Sequence, residues 1–388
     1  MNYNTSLFAQ ILQLLPRTEF ARLVKRTGVE RHSKGFASWD QAVAMLFCQL
    51  AQAKSLREIS HGLAVSCGKL THLGLKKAPP KSTLSYANAH RSEELFARLF
   101  HTMVVRCQSV SPGKKRKFRF KNPLYSLDGS VIDLCLSLFP WADFRPTKGA
   151  VKLHLLLDHD GYFPSFAVVG PYRSSSEVAV AKSLNLPKGS IVAIDRGYCN
   201  YSLYYHWDQA GIFFVTLQKE NVPCRVIEER RVPQRGGIKV DQIIELSSRR
   251  GQTGCPTRLR RIVKWDEVQQ RELVFLTNHL TFGATTIAAI YKDRWEIELF
   301  FKVLKQHLRI KTFVGTSANA LKIQIWTALL AILMIKYLQF QSQCPLTLCL
   351  LIALLHWNLF SYRELWAWLA NPLVVPIDQP PSQLALAI

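Results

Sequence analysis

The 388-residue chain is predicted to be an α/β protein with helical regions on both sides of its core, and three observations predict it. Apolar positions recur at helical spacing over residues 1 to 95, short β-type runs begin at Leu124, and a long helical pattern without Gly or Pro begins at Thr285. Lys and Arg number 50 against 27 Asp and Glu, a net charge of +23. Such an excess attracts polyanions, nucleic acid first among them, although a generic basic protein fits the same count. Nine cysteines, an odd number without CxxC pairs, favour reduced thiols and a cytoplasmic setting over a disulfide framework or zinc site. Cys344 and Cys349 sit on an apolar run and read as core. The first residues lack the basic stretch of a signal peptide. The apolar runs Ile323 to Ile335 and Leu346 to Phe360 are short of the roughly 20 residues a membrane span needs, so they read as buried helices and no membrane partner is expected.

Element by element, Phe8 to Leu15 is helical, Pro16 starts a second helix ending near Gly28, and Ser38 can cap a third from Trp39 to Ala53. Ser55-Leu-Arg-Glu58 fits a capping box for a helix to about Ser66, and Pro80 opens a further helix through Arg91 towards Met103. Short helices with tight turns suit a DNA reader, and equally any small helical bundle. Lys114, Lys115, Arg116 and Lys117 belong to a basic run with Phe118 and Phe120 interleaved, either a solvated linker or a segment that follows a DNA backbone.

Strands are predicted at Leu124 to Asp128, Val131 to Leu136, Val151 to Leu157 and, more weakly, Phe166 to Val169. A helix follows over Ser176 to Leu184. Ile191 to Ile194 is an unbroken apolar run typical of a strand buried on both faces, and Ile212 to Leu217 repeats that type. Three strands, a helix, a buried strand, a further strand and a long helix make the order of a ribonuclease H-like fold. The 65 or so residues after Leu217 are too many for a connection, so they form a β-rich insertion, with a hairpin of Arg258 to Lys264 and Arg271 to Thr277 carrying Trp265 at its tip. The chain is thus expected to divide into a helical domain that is a candidate DNA-binding domain (1–95), a helix and basic linker (96–121), the first part of the core (122–217), the insertion (218–283), the second part of the core (284–320) and a helical C-terminal region (321–388).

On a helix from Thr285 to Arg309, Tyr291, Arg294, Glu298, Lys302, Lys305 and Arg309 share an arc of roughly 80°. Glu298 is the one carboxylate on that face, among cations and a phenol. An acid among phosphate-binding groups suggests metal-assisted phosphoryl chemistry; a solvated face of ordinary Glu/Lys pairs is the plainer alternative. Such chemistry needs further carboxylates from separate elements, because Mg²⁺, for which Mn²⁺ would substitute, takes oxygen ligands. Asp128 ends the first predicted strand in Leu-Asp-Gly-Ser, where a simple Asp-Gly turn is also possible. Asp195 follows the buried strand in Ile-Asp-Arg-Gly-Tyr. Asp158 and Asp160 read as a hairpin tip, Asp133 and Asp143 are less suitably placed, and His154 and His307 read as ordinary polar positions. Arg196, Tyr291, Arg294 and Lys305 are candidates for neutralising phosphate.

The spacing Tyr291-x2-Arg294-x3-Glu298-x6-Lys305 resembles the Tyr-Arg-Glu-Lys signature of DDE-type insertion-sequence transposases of the insertion sequence four family, and the Asp-Gly-Ser and Asp-Arg-Gly-Tyr segments match its other two acids. The resemblance implies a DDE triad of Asp128, Asp195 and Glu298 and a β-rich insertion before the glutamate helix. It further implies cut-and-paste transposition through a hairpin at the ends of the element, with strand transfer into target DNA. The expected partners are double-stranded terminal inverted repeats, read by the N-terminal helices, and target DNA, with a homodimer joining two ends in a bacterial, nucleoid-associated setting. A tryptophan of the insertion, here Trp265, would hold an extruded base; its alternative is packing within its own hairpin. Two rival functions stay open: a nuclease or resolvase without strand transfer, and an inactive transposase-derived DNA-binding protein.

Overall fold

The computed structural model describes residues 5–374 apart from 32, 34, 67–69, 111–116, 146–147, 172–175, 221 and 309–312. Lys114, Lys115, Arg116 and Arg309 lie outside the described residues. Six helices come first: α1 (Leu7–Leu12), α2 (Arg17–Thr27), α3 (Ser38–Leu50), α4 (Leu56–Ala64), α5 (Lys81–His90) and α6 (Glu94–Val110). Gly28 closes α2 in the left-handed region at φ 64°, and Ser55 Oγ accepts the Glu58 N–H at 3.1 Å to start α4. Two details correct the sequence reading. Ala37 takes the cap position of α3, because Asp40 reaches back to accept the Ala37 N–H. The helix expected from Pro80 to Met103 breaks at Arg91, where the backbone turns extended and the Asn319 amide takes the Asn88 and Arg91 carbonyls.

The core follows as β1 (Leu124–Leu134), β2 (Asp143–Arg145), β3 (Lys148–Asp158), β4 (Phe163–Pro171), α7 (Glu177–Lys182), β5 (Ile191–Ile194), α8 (Tyr201–Gln209) and β6 (Phe213–Leu217). The two runs expected as separate strands before Leu136 are one strand, β1, and Asp128 lies in its middle. An antiparallel ladder with β3 passes without interruption from Tyr125↔Asp158 to Leu134↔Gly149. Gly129 therefore serves close approach instead of a turn: a Cβ there would stand 3.0 Å from Lys152 Cε and 3.1 Å from His154 Nδ1. The helix α8, not anticipated from periodicity, starts where Asn200 Oδ1 accepts the Ser202 and Leu203 N–H groups.

Residues 218–283 supply β7 (Cys224–Glu229), β8 (Ile238–Leu246), α9 (Arg249–Gly254), β9 (Leu259–Asp266) and β10 (Arg271–Thr277). All ten strands form one sheet in the order β2-β3-β1-β5-β6-β10-β9-β8-β7, with β4 also on β3. At its centre β1, β5 and β6 are parallel. β10 joins β6 antiparallel, so the insertion continues the core sheet. This is the expected ribonuclease H-like α/β order, interrupted before its last helices by a β-rich segment.

β5 is buried on both faces, as its apolar run requires. Leu127, Val192, Ile194 and Phe214 pack with Leu203 and Trp207 of α8, whereas Ile191, Ala193, Val215 and Phe275 pack on α10 (Ala284–Asp293). The long helix expected from Thr285 is two helices, α10 and then α11 (Trp295–His307), joined at Arg294. There the bonds shorten to i−3: Arg294 N–H to Tyr291 carbonyl at 3.2 Å and Ile297 N–H to Arg294 carbonyl at 3.1 Å. The chain ends in α12 (Ala318–Ser342), α13 (Leu348–Asn358) and α14 (Leu365–Ala370). At 25 residues α12 is longer than the run read from the sequence and is long and apolar enough to cross a membrane, but protein covers 83% of its most apolar window. It is the central helix of the helical layer, packed on α3, α5, α6 and α13.

A buried pair ties β8 to β9: Arg260 Nε and Nη2 donate to Asp241 Oδ1 and Oδ2 at 2.7 and 2.6 Å, with the side chains 3% and 4% exposed. Arg260→Met is expected to cost about 3–5 kcal/mol in urea denaturation, because Asp241 is left buried and uncompensated, and Arg260→Met with Asp241→Leu to recover most of it.

Candidate active site

Strand register brings two of the three acids together. The parallel pairing of β1 and β5 ends at Leu127↔Ile194, so Asp128 and Asp195 are the next residue on each strand. Leu127 and Ile194 face α8; by alternation, the two carboxylates leave the opposite face, towards α10 and α11. β5 stops here because Asp195 caps the turn Arg196–Tyr198, its Oδ1 accepting the Gly197 N–H at 2.9 Å.

The third acid comes from the helices. At the break between α10 and α11, the largely buried Arg294 donates through Nη1 to Asp128 Oδ2 at 3.2 Å and through Nη2 to Glu298 Oε1 at 2.5 Å. One guanidinium thus bridges the strand acid and the helix acid. Tyr291, one turn earlier, lies under it at 5.5 Å from ring centre to guanidinium carbon and packs on Phe275. Lys305, at the far end of α11, donates to the Val131 carbonyl at 2.9 Å, fastening that helix to β1. Arg294 and Lys305 thus contact β1 directly, while Tyr291 and Glu298 are held against Arg294.

The electrostatics are those of crowded acids. Burial, then the like charge of Asp195, pushes the Asp128 carboxyl up to about 6, against the opposing pull of Arg294 and the Gly129 N–H; Glu298 adds to the rise. Burial alone would lower the Arg294 guanidinium, but Tyr291, Asp128 and Glu298 hold it above its ordinary value. Burial raises the Tyr291 phenol. Among the described residues, no three His, Cys, Asp or Glu side chains stand close enough to make a ready cage for a metal ion. Arg294 stands between Asp128 and Glu298, which accounts for their separation.

The remaining candidates scatter. Arg196 is exposed, beside Asp195, and Lys302 is exposed on α11. Lys117 is ion-paired with the buried Asp293, so this end of the basic run is docked. Trp265 is not at a hairpin tip: it pairs with Glu272 inside the β9–β10 ladder, under the Lys239 ammonium at 4.5 Å, and the tip is Glu267 to Gln270, where Val268 is 94% exposed. Asp158 ends β3 and Asp160 lies in the β3–β4 turn, the hairpin tip expected. His154, read as ordinary, is buried behind β1 with Nδ1 3.0 Å from the Tyr198 hydroxyl. The sequence reading missed Asp293, which pairs with Lys117 and His159 directly before Arg294; its place inside the signature was the available signal.

Arg294→Met should lower the free energy of unfolding by about 1–3 kcal/mol near pH 7, since Asp128 and Glu298 lose their shared cation. The loss should shrink below about pH 6, where Asp128 takes up a proton; urea titrations across that range measure both.

Known proteins resemble this chain over most of its length. Residues 119–334, more than half of the chain, match the family model of the transposase DDE domain, and residues 3–76 match a domain of unknown function, DUF4372. The chain is 28% identical over 308 residues to the transposase y4zB of Sinorhizobium fredii, covering 78% of this chain and 84% of that one. It is 25% identical over 349 residues to the transposase assigned to insertion sequence element IS5377 of Geobacillus stearothermophilus, covering 88% and 87%. It also superposes distantly on piggyBac transposase in its synaptic complex with hairpin DNA, at 9% identity and a TM-score of 0.47, over 96% of this chain and 83% of that one. The chain belongs to the family of transposases with a DDE domain.

Proposed function

We propose that the protein cuts double-stranded DNA at the ends of an insertion sequence and joins the freed 3′-hydroxyls to target DNA, with Asp128, Asp195 and Glu298 as its catalytic acids. The observation that carries this reading is the convergence of two carboxylates from adjacent parallel strands with a third from α11, bridged by Arg294. The donor set suits a hard divalent cation: carboxylate oxygens only, with Asp128 raised to about 6 by burial and then by the like charge of Asp195. Asp128 and Asp195 would hold Mg²⁺, or Mn²⁺ in its place, and Glu298 would complete the site once its contact with Arg294 is released. The bound ion would supply Lewis-acid activation of the attacking oxygen and stabilisation of the leaving one.

This chain's own residues do the rest. Arg294 and Tyr291 lie beside the acids, where a scissile phosphate displacing Asp128 or Glu298 would meet the guanidinium fork. Exposed Arg196 follows Asp195 directly and exposed Lys302 lies one turn after Glu298, so both add positive charge near the acids. Lys305 fixes the orientation of α11 through the Val131 carbonyl. A hairpin intermediate and a dimer holding two ends belong to the same proposal, as does reading of the terminal repeats by residues 1–95. Packed in its ladder under Lys239, Trp265 fits a hairpin-packing role better than the holding of an extruded base.

The deciding experiment incubates the protein with Mg²⁺, its own flanking genomic ends and a target plasmid. Asp128→Asn, Asp195→Asn and Glu298→Gln should each abolish cleavage with end binding nearly intact; cleavage retained in any one removes that residue from the triad. Cut ends without integration would favour the nuclease reading.

A second expectation follows from the raised Asp128. The folded chain keeps its proton up to about pH 6, whereas the unfolded chain releases it near 4, so the ion-free fold loses stability as pH rises through that window. A divalent cation competes with that proton. Mn²⁺ should therefore raise the Tm at pH 7.5, do so little at pH 5, and not at all in Asp128→Asn; an equal rise at both pH values would place the ion elsewhere. Trp265→Ala should lower the Tm and slow nicking and hairpin formation alike, whereas a selective loss at the hairpin step would restore the base-holding role.

A further inference from the structure

At the end of α10 remote from the acids, the loop between β7 and β8 folds over the start of the helix and borders an open cleft of about 790 Å³. Arg230, Arg231, Arg235 and Arg260 line it, with Asp241 as the one lining carboxylate. Asp241 is wholly engaged by Arg260, so the surplus of positive charge faces the cleft. Two of these arginines build its floor. Arg230 Nη1 donates to the Leu280 carbonyl at 2.5 Å, and Arg260 Nη1 donates to the Phe282 carbonyl. The other two, Arg231 and Arg235, are exposed, and among the described residues their guanidinium groups meet no acid and no carbonyl. Gly236 lets the loop close on the helix: it takes φ +97°, and a Cβ there would stand 2.7 Å from Thr285 Cγ2. The first turn of α10 is capped by no side chain, which adds N–H donors and partial positive charge at the same place.

We propose that this cleft grips backbone phosphates of the DNA substrate, away from the cut. The inference rests on the reading of the acids as a DNA-cutting site and adds where the duplex is held. α10 has ten residues, hence a length of about 15 Å; its far end is Asp293, next to Arg294. At about 3.4 Å per base pair, the phosphates in the cleft lie about four base pairs from the bond at the acids. Two guanidinium forks without protein partners suit phosphate oxygens, which they bind bidentately. Since the loop belongs to the inserted segment and the helix to the core, the cleft gives the insertion a direct part in holding the duplex.

The test uses the full chain and a duplex carrying its flanking genomic ends. Arg231→Gln with Arg235→Gln should lower affinity about tenfold and flatten the slope of log K against log salt by about two, the loss of two phosphate contacts. Because both side chains are exposed and unpaired, the Tm should not move, and Arg231→Lys with Arg235→Lys should restore much of the affinity. The control, Arg249→Gln with Arg250→Gln, removes the same charge from α9, which packs on α8 at the other face of the sheet, and should change little. Duplex ends cut back to fewer than about four base pairs on the cleft side should weaken the wild type and leave the double variant unaffected. Wild-type affinity and slope in the double variant, or an equal loss in the control, would overturn the cleft while leaving the cutting site standing. A wild-type chain that binds no duplex at all would overturn the DNA reading itself, and the cleft with it.

Discussion

Two carboxylates placed side by side on neighbouring strands repel, and the architecture around them answers that repulsion. Burial and the like charge of Asp195 together push the Asp128 carboxyl up to about 6, so keeping it ionised draws on the small net stability of a domain. Asp195 is relieved locally by the Gly197 N–H; Asp128, deeper, depends on its Gly129 N–H and on Arg294. Arg294 reaches it only because the helix tightens at that residue, and the same guanidinium then fixes Glu298. Without added cations, the three acids are thus compensated by one arginine, two backbone amides and a partial proton.

The insertion alters the reach of this site without loosening it. Because β10 pairs directly with β6, the inserted strands are in register with the strands that carry the acids. α10 lies across that junction, packed on Ile191, Ala193 and Val215 of the core and on Ile238, Ile262 and Phe275 of the insertion. Its two ends therefore keep a constant spacing, with the arginine cleft at one and Arg294 at the other. A separately hinged insertion would need to be ordered by DNA before it could hold anything; here that entropy is met during folding.

Much of this was legible in the sequence, for identifiable reasons. Three of the four signature positions lie on helix and Arg294 lies at their junction, and the spacing survives because the tightening, about 20° per residue, is confined to the turn around Arg294. Asp195 was legible because a run buried on both faces has no polar side on which to hide an acid. Asp128 was found for the wrong reason. Asp-Gly was read as a turn or strand end, whereas the glycine is there because Lys152 and His154 of β3 crowd its far side, a long-range contact that local propensity does not encode. Trp265 was misplaced by the same limitation: the hairpin turn lies at Glu267 to Gln270, where Asp266 Oδ1 accepts the Val268 and Gln269 N–H groups, so the strand runs two residues past the expected end at Lys264, to Asp266. The arginine bridge could not be read at all, because it joins residues 166 positions apart.

The residue before Arg294 shows how the break itself is held. Asp293 is buried, yet its carboxylate accepts from His159 Nδ1 at 2.6 Å, from the Tyr162 hydroxyl at 3.1 Å and from Lys117. Burial would raise it, but these partners hold it below the ordinary carboxylate range. His159 Nε2 in turn lies 2.7 Å from Ser126 Oγ, giving a Ser-His-Asp connectivity like that of a serine nucleophile. Ser126, however, is completely buried on β1, and no substrate carbonyl can approach it. The chain of contacts is better understood as a tether. It runs from β1, two residues before Asp128, through the β3–β4 turn to the last residue of α10, and Lys117 adds the end of the linker. With Asp293 fixed from three directions, the next residue has little freedom, and Arg294 is delivered to the gap between Asp128 and Glu298 by the backbone as much as by its own charge.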